Sequence, residues 1–130
     1  MANRDFKGVQ AIQREVKMVS GSFAFHASDG TSTLSNAVGV TSTGDLASGL
    51  VTLTLDDKYS QFLGVNVTYK DAAFDNEKVP TVCLSAETVN TTKTVVLQFT
   101  NSDDGGLCAN ADVGGDTVYF CVWLKNSSVV

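Results

Sequence analysis

Few side chains in this sequence could carry chemistry, and His26 is the one imidazole among them. Nucleophilic catalysis by Ser or Cys needs a base beside the nucleophile. His26 lies in a Ser/Asp-flanked stretch that reads as a loop, and no Gly-x-Ser-x-Gly turn is present to present a serine. A solvent-facing loop histidine is the expectation. The carboxylate pairs Asp56/Asp57 and Asp103/Asp104 are adjacent in sequence. Neighbours in extended chain point to opposite faces, so neither pair converges on a substrate. The stretch Ser102–Asp116 could offer Ca²⁺ the oxygens of Asp103, Asp104, Asn110, Asp112 and Asp116. It lacks both the Asp-x-Asp-x-Asp-Gly spacing and a closing bidentate Glu. Neither Gly105-Gly106 nor Gly114-Gly115 is followed by a Lys-Ser/Thr pair, so no phosphate loop is read. No catalytic residue, cofactor or metal ligand is therefore assigned, and a non-enzymatic module is expected.

The three cysteines, Cys83, Cys108 and Cys121, are odd in number and have no Cys-x-x-Cys spacing. Reduced thiols are expected, with Cys83 and Cys121 serving as small core residues. The first residues show no apolar block after their charges, as a secretory leader would, and no apolar run approaches the ~18 residues of a membrane helix. The reading is a protein made in the cytoplasm and kept off membranes.

Such a chain must be held by strands. Ser, Thr and Val abound while Glu occurs only at positions 15, 77 and 87, a balance that suits pleated, half-buried surfaces better than helices. At 130 residues the chain can bury about two thirds of its surface in one core. The net charge of −5 is uneven, because residues 1–17 carry +2 and the rest −7. An acidic body argues against nucleic acid as a partner, since phosphate neutralisation drives that binding.

Period-two apolar patterns recur between turn residues. Val16 and Met18 lie on one side, Val19, Phe23 and Phe25 on the other, so a bulge or two successive strands near Ser20 are predicted. Strands are expected over 37–43, 49–55, 62–70 (Leu63, Val65, Val67 and Tyr69 inward), 79–87 (Val82, Leu84 and Ala86 inward), 94–100 and 117–125. His26–Ser35 and Ser102–Asp116 read as loops, the second mobile or partner-bound. The last strand is apolar on both faces, which predicts a central or interfacial position. Together these define a single-domain, all-β antiparallel sandwich or barrel of about seven or eight strands. The domain is expected over residues 16–130. Its predicted core is Leu53, Val65, Val67, Leu84, Leu97, Phe99, Phe120 and Val122.

Two segments carry a resemblance. Gln13-Arg-Glu-Val-Lys-Met-Val-Ser-Gly-Ser-Phe23 resembles the opening of a family of small structural proteins from tailed bacteriophages. Val118-Tyr-Phe-Cys-Val-Trp-Leu-Lys-Asn-Ser-Ser-Val129 is similar to that family's last strand and tail. The likeness covers about a quarter of the chain, and it implies a virion component with no catalytic or ligand residues to carry over. A capsid decoration (cement) protein on the capsid exterior is the role it suggests, bound to the major capsid protein as a homotrimer. The alternatives are a head-fibre or tail accessory protein, or a β module binding host-surface carbohydrate.

Residues 1–15 read as an extended, basic N-terminal arm bound to a partner rather than to their own core. Arg4, Phe6, Lys7, Val9 and Arg14 are its expected capsid contacts. Tyr119 and Trp123 are the expected subunit interface.

Overall fold

Alternation along the final strand locates the core. A computed structural model describes residues 16–26, 31–44, 46, 49–72, 80–101 and 105–125. In it Val118, Phe120, Val122 and Leu124 are all buried, while Tyr119 and Trp123 between them face out. Eight strands are described: β1 (Val16–Ala24), β2 (Thr33–Val38), β3 (Val40–Thr43), β4 (Leu50–Leu55), β5 (Gln61–Lys70), β6 (Thr81–Thr88), β7 (Thr94–Thr100) and β8 (Thr117–Lys125). One helical turn, α1 (Asn110–Val113), precedes β8.

The strands form two antiparallel four-stranded sheets, ordered β2-β1-β8-β5 and β3-β4-β7-β6. Their inward faces pack as a β-sandwich, and neither sheet closes into a barrel. The expected central position of the last strand holds, since β8 lies between β1 and β5. Phe23 of β1 and Phe99 of β7 join the sheets edge to face at 6.4 Å, and Phe25 packs on both at 5.4 Å and 5.2 Å. Such edge-to-face rings add about 0.5–1.5 kcal/mol each beyond their buried area.

One side of the sandwich is closed by a corner. The chain passes from β2 in one sheet to β3 in the other through Gly39, whose φ is +84°. A side chain here would also meet Val19 Cγ1 at 2.4 Å. Only glycine supplies this turn without strain.

Several expectations are corrected. The segment 37–43 is divided by this corner, and β2 starts at Thr33 inside the stretch read as a loop. The predicted bulge at Ser20 is seen against β2, between Ser20 and Ser22, whereas pairing with β8 runs through unbroken. Leu63 is not inward: a register shift between Phe62 and Gly64 exposes it and turns Phe62 in instead. A second shift between Leu84 and Ala86 interrupts β6, where Leu84 is 39% exposed and Ala86 is exposed. Val65 and Val67 are half-buried. All of these lie on β5 and β6, the unpaired edges, where the facing sheet gives less cover. The remaining predicted core residues, Leu53, Leu97, Phe99, Phe120 and Val122, are buried.

The glycine-rich stretch is not all loose. Cys108 and Val113 are buried in the core, and Leu107 bridges back to Thr100. The thiols are reordered accordingly: Cys108 is buried, Cys121 half-buried and Cys83 exposed. Cys121 is on the outward phase of β8 and Cys83 on an edge strand, which removes both from the core.

Candidate functional site

The candidate residues weighed from the sequence are dispersed among the described residues. His26 is exposed just beyond β1, as a loop histidine would be. Among the described residues no three His, Cys, Asp or Glu side chains gather as a metal would require. Asp103 and Asp104 lie outside the described residues. Several of the described acids accept hydrogen bonds from protein donors. Asp112 Oδ2 accepts from Ala109 N at 3.1 Å and from the Asn101 amide at 3.4 Å. Asp57 Oδ1 accepts from Lys58 N at 2.8 Å. Asp56 Oδ1 accepts the Tyr59 hydroxyl at 3.4 Å. Burial first, and then the Asp56 charge and hydrogen bond, push the Tyr59 hydroxyl above its ordinary pKa.

A partly buried polar cluster joins Tyr69 to Asp116. The Tyr69 hydroxyl donates to Asp116 Oδ2, and Ala72 N donates to Oδ1 at 2.8 Å. Asp116 is only 6% exposed. Burial, followed by the hydrogen bond and charge of Asp116, drives the Tyr69 hydroxyl far above its ordinary value. It stays protonated at any physiological pH. The cluster ties the end of β5 to the entry of β8, and the Phe25 ring lies 6.5 Å from the Tyr69 ring.

Two apolar surfaces remain. The first is the outer face of the β1/β8 pair. Met18 stands directly opposite Trp123, and Tyr119 follows on the same face of β8 with Cys121 between. Exposures of 49%, 38% and 45% for Met18, Trp123 and Tyr119 are unusual for large apolar residues clustered on one sheet. The two residues expected at a subunit interface therefore share one exposed face. Met18 belongs with them, and its signal was the change of phase between Val16/Met18 and Val19/Phe23.

The second surface is a groove of about 550 Å³ where the sheets part along β5 and β6. Phe62, Val65, Val67 and Tyr69 line one wall, Pro80, Val82 and Leu84 the other, with Leu97 at the floor. No sequence pattern marks it, because alternation in β5 and β6 is the same whether the facing sheet is near or far. The expected contacts Arg4, Phe6, Lys7, Val9 and Arg14 lie outside the described residues.

Searches for similar proteins give no match among protein-family models, curated proteins or solved structures. The reading of function rests on this geometry and on the resemblance of the two end segments.

Proposed function

We propose that the chain is a non-enzymatic structural protein of a tailed-bacteriophage virion, a decoration (cement) protein that binds the outer capsid as a homotrimer and stabilises it. One observation carries this reading. The two segments that resemble the phage family are hydrogen-bonded neighbours, β1 and β8, paired from Val16–Lys125 to Ala24–Thr117. They form the middle of one sheet and present Met18, Tyr119 and Trp123 outward. Aromatic and Met side chains are the types enriched at the centres of protein interfaces. In the trimer this face is the subunit contact. Arg4, Lys7 and Arg14 of the first fifteen residues then reach the major capsid protein, with Phe6 and Val9 beside them in the sequence.

The test is mass spectrometry of purified particles of the phage that carries the gene. A copy number comparable to that of the major capsid protein is expected. Absence from particles, or only a few copies, would overturn the decoration role, and the second result would favour a head-fibre or tail accessory position.

The exposure of Trp123 and Tyr119 favours one further reading, a host-surface carbohydrate-binding module, since sugars stack on exposed aromatic faces. Binding of the isolated protein to a glycan array, lost on Trp123→Ala, would select it.

A further inference from the structure

The β5/β6 groove opens between the two sheets, and the described residues begin and end near it. Val16, the first described residue, pairs with Lys125, and Lys125 pairs on its other side with Gln61, the first residue of β5. The chain therefore enters β1 two strand spacings from the β5 edge, roughly 10 Å away. Fifteen residues precede Val16, a length that reaches about 50 Å when extended. β5 has ten residues, and a strand of that length is about 33 Å long. A segment returning from Val16 across the end of β8 thus has chain enough to follow the whole groove.

Its composition suits that course. Phe6, Val9 and Ile12 are separated by polar and small residues and have no apolar neighbours of their own beyond Ala11. The groove offers a wall of Phe62, Val65, Val67 and Tyr69 that no strand covers among the described residues. The net charge of +1 over residues 1–15 also meets the −6 of the remaining chain.

We propose that the segment preceding Val16 folds back over the β5/β6 opening of its own chain and seats Phe6 and Val9 in the groove. This gives the arm a partner in its own chain, where the sequence by itself suggests a neighbour's. It takes Phe6 and Val9 out of the capsid contact, leaves the rest of the virion reading unchanged, and is untouched by particle composition.

Cys83 of β6 lines the groove and provides the probe. In full-length protein carrying Cys121→Ser, Phe6→Cys is introduced and the thiols are oxidised with diamide. The expected product is a disulfide to Cys83 within one chain, running as monomer on a non-reducing gel and mapped by peptide mass. A covalent dimer would show that the arm enters a neighbour's groove and would overturn the proposal. So would capture of Cys83 by Val129→Cys in place of Phe6→Cys, which would make the C-terminal residues the occupant. A measurement that needs no disulfide accompanies it. Phe6→Asp with Val9→Asp, in a chain whose near-ultraviolet dichroism is unchanged, is expected to raise anilinonaphthalene sulfonate fluorescence several-fold. No rise would also overturn the proposal.

Discussion

Tyr69 and Asp116 are 47 positions apart, yet the tyrosine hydroxyl donates directly to the carboxylate. That contact fastens the end of one edge strand to the start of the central one, at the end of the groove where β5 finishes. The carboxylate's second oxygen holds Ala72 N, so both acceptors are engaged by groups distant in sequence.

Tyr69→Phe leaves a buried carboxylate short of one donor and is expected to cost about 1.5–3 kcal/mol. The pH dependence has a definite sign. The hydroxyl pKa is raised in the fold, for Tyr69 and in the same direction for Tyr59, so folding favours the protonated form. That contribution is fully present below the unfolded pKa of about 10 and is lost as pH rises above it. Urea melts between pH 8 and about 11 should show falling stability, and Tyr69→Phe should flatten the slope. An unchanged slope would remove Tyr69 as its source.

Core and edge leucines are expected to differ sharply. Leu97 is fully buried, whereas Leu63 is 45% exposed. Leu97→Ala should cost about 2–5 kcal/mol, and Leu63→Ala about 1 kcal/mol or less. Denaturant midpoints read both. Equal costs would mean that Leu63 is covered by a contact beyond the described residues.

The corner at Gly39 tolerates no side chain. Gly39→Ala meets both a positive φ and Val19 Cγ1 at 2.4 Å. A loss of more than about 1 kcal/mol is expected. Gly115→Ala, also at positive φ but with nothing within 4 Å of a Cβ, is the control with strain alone. A milder effect at Gly39 than at Gly115 would contradict the packing at the corner.

The outer face should matter to association and little to folding. Met18→Ser, Tyr119→Ser and Trp123→Ser together are expected to move the melting temperature by only a few degrees. Sedimentation velocity should show self-association lost. Retained oligomers would move the subunit contact elsewhere.

Thiol reactivity should follow burial. Three free thiols are expected under denaturing, non-reducing conditions. In the folded protein Cys108, only 2% exposed, should be the last to be alkylated. Modification of Cys108 at the rate of Cys121 would mean that the stretch around α1 opens readily.

Much of the fold was legible because a strand writes its environment into alternate positions. Val51, Leu53 and Leu55 announced a buried face, and the doubly apolar β8 announced a central or interfacial strand. Other features belong to the tertiary structure alone. Leu63, Leu84 and Ala86 alternate as inward residues do, but register shifts of one residue reverse a face and depend on the pairing partner rather than the strand itself. Cys108 and Val113 sit in a segment whose glycines signalled a loop, and they are buried because the sandwich has room for them at one end. The Tyr69–Asp116 contact and the β5/β6 groove have no local signature at all. The first follows from the pairing of β5 with β8, 47 positions on, and the second from how far apart the two sheets stand, a distance set by side chains from many strands at once.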